Sequence, residues 1–309
     1  MAKPNNHALL EAYLQDAELQ GLMPETCLAY RGNINTFLEF LGRRSALDVT
    51  VVDLKAFLAK QKAMKLSAST LRVQFSAISS LYDFLVYEEK VKGNPVPGFR
   101  KRYLKTIRRQ AAKDQSNRRQ LLSVEDMRRL VHSIADVRDR AFLVLLAKTG
   151  ARREEITELD TSDVDWTQLG VTFKPHPKRT NLQGFFDHEA ARVLRRWLAI
   201  RKARGAPDQG PLFVGDRGGR LDSQIACDAI TEAAQRLGLH DPSGPLHKRF
   251  TPHCCRHWYT THLRRADMKR EYVAWLRGDA PRGTLDIYLH IDPADVRESY
   301  LARIPQLGL

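Results

Sequence analysis

Hydrophobic residues in the first third of the chain recur at the spacing of amphipathic helices. The apolar positions between 9 and 17 follow an i, i+3, i+4 pattern, and similar stripes continue to about residue 92. Gly21 and Gly42 close two stripes, and Thr50-Val-Val-Asp53 resembles a capping box that starts a short helix through Leu58. We therefore predict a compact bundle of roughly four or five helices for residues 1–97, of a size common among DNA-binding domains.

After residue 120 the helical stripes are interrupted by a short strand-like region. Ser123, followed by two acidic residues, is a good helix N-cap, and residues 139–148 are apolar enough for a buried helix. Residues 163–186 have the pattern of two or three short strands with a basic turn, and helical patterns resume over 189–204 and 222–237. The predicted fold class is mostly α with a small β-hairpin sheet, in which a helical N-terminal domain precedes an α+β domain at 121–309.

A basic stretch, residues 98–120, connects these two parts. It contains nine Lys or Arg residues and a single acid, Asp114. Such a run is usually a solvated tether, but in a basic protein it could also lie along a phosphate backbone through contacts that read no sequence. The residues predicted to contact DNA in this linker are Arg100, Lys101, Arg102, Lys105, Arg108 and Arg109.

The charge of the whole chain supports a nucleic-acid partner. The 309 residues carry a formal net charge of +14 and a pI of about 9.8, although an ordinary basic protein is the alternative. None of the four cysteines forms a C-x-x-C pair, which favours reduced thiols in the cytoplasm. There is no apolar signal region and no run of about 18 apolar residues. We expect double-stranded DNA as partner, no membrane, and a cytoplasmic, nucleoid-associated location.

Candidate chemistry begins in the segment 251–257. His253 and Arg256 are three residues apart, so a helix would project them from one face, and Tyr288 follows 32 residues after Arg256. An arginine grips phosphate oxygens, a histidine moves a proton and a tyrosine can attack. Taken alone, an Arg-His pair on a helix is usually surface or core, so other pieces must support the site. His253 and its neighbours His257 and His262 lack a second metal-binding cluster, so no metal is predicted.

Two further segments supply such pieces. Gly150 turns the chain so that Arg152 comes near the start of a helix, where backbone N–H groups favour phosphate, and Glu155 lies three residues further on and can brace it. The basic turn brings Lys178, or less readily Lys174, to the tip of a hairpin. An exposed lysine without a function is the ordinary alternative for either position.

Together these motifs resemble the tyrosine recombinase (phage integrase) family. They are Thr149-Gly-Ala-Arg152-x-x-Glu155, a hairpin lysine, His253-x-x-Arg256-His257 and a tyrosine near the C-terminus. The separation of Arg256 and Tyr288 is similar to that of Xer-type members, and the helical N-terminal half resembles the family's core-binding domain. The segments around Asp279 and Tyr288 look most like archaeal integrases.

The resemblance implies a mechanism without metal, nucleotide or other cofactor. Tyr288 would attack a DNA phosphate to leave a 3′-phosphotyrosyl link and a free 5′-hydroxyl, with His253 as the candidate base. Arg152 and Arg256 would clamp the non-bridging oxygens, and Lys178 would protonate the departing oxygen. Strand exchange implies a tetramer on DNA, assembled from monomers or dimers.

One position departs from the family pattern. Nine residues before Tyr288, where many members have a His or Trp that donates a hydrogen bond to the phosphate, this chain has Asp279. An ionised carboxylate cannot donate and would repel a phosphate. Either Asp279 faces away and braces an arginine, or it stays protonated, or another donor replaces it. The candidate replacements are Arg277, Arg282 and His290.

The predicted function is that of a site-specific DNA recombinase or integrase, and it has two rivals. The same chemistry on one duplex would make the protein a type IB topoisomerase, but the two-domain layout and the long C-terminal tail favour an integrase. A decayed site would make it a non-catalytic DNA-binding protein, but the presence of all five candidate catalytic residues argues against decay. Tyr259, Tyr272 and Tyr300 compete with Tyr288 as nucleophile, but only Tyr288 keeps the family spacing. The C-terminal segment 293–309 could dock on a neighbouring protomer or on its own domain.

Overall fold

A computed structural model of the chain describes residues 5–107, 109, 119–177, 179–280 and 291–309. The chain divides into two compact units, residues 1–115 and 116–309, and each unit has its own hydrophobic core. Within the described ranges, no helix combines the length and apolar character needed to cross a bilayer.

The first unit is a helical bundle, as the apolar stripes predict. Gly42 ends the second helix with a positive φ of 61°, and the Thr50 N–H donates to Asp53 Oδ2 at 2.9 Å to start the third. The third helix runs to Ala63, five residues beyond the predicted end at Leu58. The helices are α1 (Asn6–Leu19), α2 (Pro24–Leu41), α3 (Val51–Ala63) and α4 (Ala68–Tyr87).

The stretch predicted as a linker begins as part of this bundle. Helix α5 (Val96–Phe99) continues into a π-helical turn at Arg100–Leu104, and the rings of Phe99 and Phe75 stack with centroids 5.2 Å apart. Phe99 and Leu104 are buried, so this part is not a solvated tether. The sequence did not predict the burial of these side chains, because the basic residues around them are typical of an exposed segment. The domain boundaries at 97 and 120 stay predictions.

The basic side chains of that stretch differ in exposure. Lys101, Arg102, Lys105 and Arg109 are exposed, whereas Arg100 is half-buried and its Nη2 donates to Ser76 Oγ at 2.9 Å. Arg108 lies outside the described residues. Four of the predicted DNA contacts are therefore on the surface and available to a phosphate.

The second unit is built around one buried helix. Helix α7 (Val137–Thr149) is buried on nearly every side and contacts helices before and after it in the chain. Ser123 caps the preceding helix, because its Oγ accepts the Asp126 N–H at 2.9 Å. The other helices are α6 (Val124–Ser133), α8 (Arg153–Thr157), α9 (His188–Ala203), α10 (Ser223–Arg236), α11 (His253–Arg265), α12 (Arg270–Arg277) and α13 (Pro293–Leu301).

A small antiparallel sheet completes this unit. Its strands are β1 (Val164–Asp165), β2 (Gly170–Thr172) and β3 (Gln183–Phe185), in that spatial order, with Val171 opposite both Val164 and Gly184. The predicted fold class, mostly helical with a small hairpin sheet, is confirmed. The connection between β2 and β3 is the basic turn that positions the candidate lysines.

The C-terminal segment packs on its own unit. Ile304 and Leu307 are buried in the core of the second unit, and Tyr300 donates from its hydroxyl to Lys148 O at 2.7 Å. Of the two docking alternatives left open by the sequence, the structure has the one within the same chain.

Candidate active site

Arg256 lies in the first turn of α11 and its guanidinium is held from several sides. Its Nη1 donates to Gly150 O at 2.8 Å, and its Nη2 donates to Arg277 O and to Asp279 Oδ1, both at 2.9 Å. The side chain is only 5% exposed. Burial, together with the charges of Arg277 and Arg152, lowers the pKa of Arg256 to about 10. At neutral pH it is therefore still a cation, with its orientation fixed before any ligand arrives.

The turn before α8 brings Arg152 to the same place. Gly150 has a φ of 62°, and a Cβ there would lie 2.4 Å from the Tyr259 ring, so both conformation and space require glycine. Arg152 immediately precedes α8, and its Nη1 donates to Glu155 Oε1 at 2.8 Å. Since α8 spans only five residues, the guanidinium is the main source of positive charge here, rather than the helix terminus that the sequence suggested.

Glu155 braces Arg152 as predicted from its position. It is buried, and its Oε2 accepts the Arg152 backbone N–H at 2.7 Å in addition to the side-chain contact. Burial alone would raise the pKa of Glu155, but Arg179 and Arg152 outweigh it and lower the pKa below its usual range. Glu155 is therefore a carboxylate at neutral pH and keeps Arg152 aligned.

Arg152, His253 and Arg256 line one cavity. Its volume is about 290 Å³. Burial lowers the pKa of His253 below its ordinary value, and the surrounding arginines, beginning with Arg119, lower it further. His253 is consequently neutral at pH 7 and has a lone pair that can accept a proton. The remaining lining residues are Ala151, Arg153, Glu154, Thr251 and Pro252.

Asp279 braces an arginine, as the first of the three interpretations of this residue proposed. Its Oδ1 accepts from Arg256, while its Oδ2 lies 3.2 Å from Arg277 Nε in an ion pair. The Arg277 Nε–H is not aligned with that oxygen as a hydrogen bond. Two of the alternative donors, Arg282 and His290, lie outside the described residues.

Of the two candidate lysines, the structure describes Lys174. Lys174 Nζ lies 2.7 Å from an Asp163 oxygen and 3.0 Å from an Asp160 oxygen, and these hydrogen bonds raise the pKa of Lys174. Lys178 and Tyr288 both lie outside the described residues, so their places in the site stay predictions.

Sequence reasoning missed Arg179. This side chain follows Lys178 in the basic turn but is fully buried, and its Nη1 donates to Glu155 Oε2 at 3.0 Å. The residues around an arginine in a basic, proline-containing turn do not indicate that it is buried, because the groups that accept its hydrogen bonds lie far away in the chain. The one available signal for the burial of Arg179 would have been a buried glutamate that lacked a cationic partner.

The arrangement has an excess of positive charge. Four guanidinium groups surround two carboxylates, so the local charge is positive by about two at neutral pH. The arginines 152 and 256 face a cavity with a neutral histidine, and this combination suits the binding of a tetrahedral anion and a proton transfer beside it. The groups counted are Arg152, Arg179, Arg256 and Arg277 with Glu155 and Asp279.

Comparisons with known proteins identify the class to which this site belongs. Residues 120–295 match the phage integrase family, and residues 10–89 match the phage integrase N-terminal SAM-like domain. The chain is 27% identical over 312 residues to tyrosine recombinase XerC of Escherichia coli, covering 97% of each chain. It is 28% identical over 296 residues to tyrosine recombinase XerC of Xylella fastidiosa, covering 93% of each.

Solved structures share the fold. The Tn1549 transposon integrase in complex with transposon right end DNA has a TM-score of 0.72 at 17% identity, covering 94% of this chain and 97% of that one. The lambda integrase tetramer bound to a Holliday junction has a TM-score of 0.71 at 17% identity, covering 93% and 77%.

The first family match spans more than half of the chain and includes every candidate catalytic residue. The chain therefore belongs to the phage integrase family, and its enzymatic class is that of the tyrosine-type site-specific DNA recombinases. The likeness of its tail to archaeal integrases stays a prediction.

Proposed function

We propose that this recombinase cleaves and rejoins double-stranded DNA through a 3′-phosphotyrosyl intermediate formed by Tyr288. The observation that carries the proposal is the meeting of Arg152, His253 and Arg256 at one cavity with excess positive charge. A DNA phosphodiester is an anion, and its attack by a phenol needs both charge neutralisation and a proton acceptor.

In the proposed step the Tyr288 oxygen bonds to phosphorus and the bond from phosphorus to the 5′-oxygen breaks. The phenolic proton passes to His253, whose lowered pKa keeps it unprotonated at neutral pH. The departing 5′-oxygen takes a proton from the Lys178 ammonium and leaves as a hydroxyl. Attack by a 5′-hydroxyl from a second duplex reverses these transfers and rejoins the strands.

The two arginines stabilise the charge that develops on the non-bridging oxygens. Arg256 has its Nη2 hydrogens occupied by protein acceptors, which leaves donors on Nε and Nη1 for a phosphate. Arg152 is more exposed, at 28% for its side chain, and is braced by Glu155. Because the guanidinium groups are already oriented, little reorganisation is needed when the phosphate enters.

Lys178 is the better general acid of the two hairpin lysines. Lys174 forms ion pairs with Asp160 and Asp163, and both ion pairs would have to break before Lys174 could approach a phosphate. Lys178 is followed directly by Arg179, which enters the network of Glu155. The assignment of Lys178 rests on this neighbour.

Competing tyrosines are disfavoured as nucleophiles. Tyr259 and Tyr300 are fully buried, and burial raises the pKa of each hydroxyl well above its ordinary value. Tyr272 is half-buried beside Lys269. Burial of Tyr259 and Tyr300, together with the family spacing that Tyr272 lacks, supports Tyr288 as the attacking residue.

The remaining parts of the chain would hold the DNA and assemble the complex. Exposed Lys101, Arg102 and Lys105 would contact the phosphate backbone without reading sequence, so replacing all three by alanine should flatten the salt dependence of binding by about one unit of slope per contact. Tetramers on DNA are proposed from the lambda integrase neighbour. A cytoplasmic, nucleoid-associated location follows from this substrate.

A covalent trapping experiment tests the function. The protein is incubated with nicked duplexes carrying a random-sequence core, the reaction is stopped with SDS, and DNA linked to protein is recovered and sequenced. We expect an adduct on a defined core sequence for the wild type and for Tyr272→Phe, and none for Tyr288→Phe. Adduct formation by Tyr288→Phe would contradict the nucleophile, and cleavage without sequence preference on plasmid DNA would favour the topoisomerase alternative.

A further inference from the structure

The segment that follows Lys178 is anchored to the end of α12. The Thr180 N–H donates to Gly278 O at 3.1 Å and its Oγ1 donates to Asp279 O at 3.1 Å. Asn181 Nδ2 donates to Trp275 O at 2.9 Å. Two successive residues of the β2–β3 connection thus bond to carbonyl groups of residues 275–279, a segment that also supplies hydrogen-bond acceptors to Arg256.

We call the hydrogen bonds between residues 179–181 and residues 275–279 the anchor. Arg179 is its buried centre. Its Nη2 donates to Leu276 O at 3.0 Å, its Nε donates to Asn181 O at 2.5 Å, and its Nη1 donates to Glu155 Oε2. The guanidinium carbon lies 3.9 Å from the centroid of the Phe173 ring. A fully buried guanidinium is costly unless each donor is matched, and this one reaches an acceptor from all three nitrogens.

The neighbouring backbone is shaped to fit this side chain. Gly278 has a φ of 62°, and a Cβ there would lie 2.5 Å from Arg179 Cγ and 3.1 Å from Asn181 O. Any side chain at position 278 would therefore displace Arg179 and Asn181 from the end of α12. The next residue, Asp279, bonds to Arg256, so the surface that receives Arg179 is also the one that orients that catalytic arginine.

Arg179 thereby connects parts of the site that are remote in sequence. Through Glu155 it reaches the carboxylate that aligns Arg152, and through the end of α12 it reaches the support of Arg256. It is joined to Lys178 by one peptide bond. A movable hairpin would let the general acid drift relative to the phosphate, and a buried arginine next to it restricts that drift.

We infer that Arg179 is a positioning residue that fixes the lysine-bearing hairpin against the supports of the two catalytic arginines, so that Lys178 is aligned with the leaving 5′-oxygen. This inference rests on the proposed role of Lys178 as general acid. Arg179 itself does not touch the DNA, because its side chain is enclosed by protein.

The test compares two leaving groups on the cleavage site mapped by covalent trapping. One duplex has the ordinary 5′-oxygen, and the other has a 5′-bridging sulfur, which departs without protonation because a thiol is far more acidic than an alcohol. Adduct formation is followed in a single turnover. A defect in general-acid catalysis is rescued by sulfur, whereas a defect in fold or in phosphate binding slows both substrates.

Arg179→Met removes both the charge and the planar set of guanidinium donors. Arg179→Lys keeps the charge but not that set of donors. We expect both to slow cleavage of the oxygen substrate, Arg179→Met by about 10²-fold, and to slow cleavage of the sulfur substrate at most several-fold. Lys178→Ala should show the same selective rescue. Equal slowing on both substrates by both Arg179 variants would overturn the inference and leave Arg179 a residue of the fold alone.

Arg138→Met is the matched control. Arg138 is also a buried arginine paired with a buried carboxylate, Asp139, at 2.9 Å, but it lies at the opposite end of α7 from Gly150. Twelve residues of helix separate those positions by about 18 Å. We expect this variant to lose stability and to respond equally to the two substrates.

Hydrogen exchange measured by mass spectrometry separates this inference from the proposed function. Arg179→Met should accelerate exchange in peptides covering 179–185 and 275–279, and Arg138→Met should not. A wild type that forms no adduct would overturn the proposed function and, with it, the alignment of Lys178 by Arg179, while the exchange result would still decide whether Arg179 anchors the hairpin. Unchanged exchange in both peptides would overturn the anchor.

Discussion

Two buried polar clusters in the second unit use charge in opposite ways. The arginine site has an excess of cations around Glu155 and Asp279, and it opens on a cavity. The second cluster, which we call the tail cluster, consists of Lys148, Asp187, Glu189 and the backbone of residues 305–309. Both clusters place charged groups in a hydrophobic core. The difference in their charge balance therefore indicates which of them is suited to bind a ligand.

The tail cluster is closed. Lys148 is fully buried, and its ammonium donates to Asp187 at 2.5 Å, to Glu189 at 2.8 Å and to Pro305 O at 2.7 Å, which accounts for all its hydrogens. Glu189 accepts the backbone N–H groups of residues 307, 308 and 309. With its donors and acceptors matched internally, this cluster fastens the C-terminal segment to the unit and leaves no charge for an external anion.

The arginine site has more positive than negative charge. Its carboxylates are fewer than its guanidinium groups, and Arg256, which lines the cavity, has hydrogens on Nε and Nη1 beyond those that it donates to Gly150, Arg277 and Asp279. Buried charges that are fully paired stabilise a fold or specify its packing, whereas an unmatched, preoriented excess is suited to binding.

Arg256→Lys should have the largest effect on chemistry. A lysine keeps one charge but cannot reach Gly150 O, Arg277 O and a phosphate together, so we expect cleavage to fall by about 10³- to 10⁵-fold. Single-turnover adduct formation on the mapped site measures the loss. Arg201→Lys is the control, because Arg201 is buried and donates to carbonyl groups of the 207–211 segment. A loss of the same size in both variants would contradict a specific role for Arg256.

Lys148→Met should have the largest effect on stability. It leaves Asp187 and Glu189 buried without their cation, which we expect to lower the free energy of unfolding by about 3–5 kcal/mol. Urea unfolding at neutral pH measures this change. Lys202→Met, which removes an exposed ion pair with Asp208, should change it by less than about 1 kcal/mol. If Lys148→Met left stability intact but abolished cleavage, the tail cluster would belong to the active site and the comparison would fail.

How much of this could be predicted from sequence depends on the range of the interactions. The turn at Gly150, the helical spacing of His253 and Arg256 and the bracing position of Glu155 are local, because each depends on backbone conformation within a few residues. The sequence therefore predicted these local features, and the family resemblance predicted that Arg152, His253 and Arg256 meet at one cavity. It also predicted the fold class, since apolar periodicity is likewise a local signal.

Long-range pairings could not be predicted in that way. Lys148 finds its carboxylates about 40 residues later and its carbonyl partner 157 residues later, and Arg179 bonds to Leu276 across 97 residues. Nothing in the neighbourhood of a lysine or arginine indicates whether a distant carboxylate will be buried against it. The helical start of the predicted linker was missed for a similar reason, because Phe99 and Leu104 fill a core made by earlier helices.

Glu189→Gln should have an intermediate effect that depends on pH. Burial would raise the pKa of Glu189, but the hydrogen bonds from Leu307 and Lys148 outweigh it, so the folded-state pKa lies below the unfolded one. The stability from this carboxylate is then fully present above the unfolded pKa of about 4.3 and is lost as pH falls through the folded value. We expect a deficit of about 1–3 kcal/mol at pH 7 that narrows below about pH 4.

Urea unfolding of the wild type and Glu189→Gln between pH 7 and pH 3 measures that deficit. Glu298→Gln, an exposed glutamate on α13, is the control and should follow the wild-type curve throughout. A deficit that stayed constant down to pH 3 would mean that the charge of Glu189 contributes nothing to holding the C-terminal segment.

Asp279→Asn should have the smallest effect and the opposite sign. The amide oxygen can still accept from Arg256, while Gly150 O and Arg277 O continue to hold the guanidinium, so its orientation is kept. Removal of the carboxylate increases the positive excess beside the phosphate, which should speed adduct formation about two- to fivefold, corresponding to no more than about 1 kcal/mol. Asp216→Asn is the matched control, because Asp216 is an exposed carboxylate on Arg138, at the other end of α7. Slower cleavage by Asp279→Asn alone would show that Asp279 orients Arg256 through its charge, and the arginine site would then resemble the tail cluster more closely than its open cavity indicates.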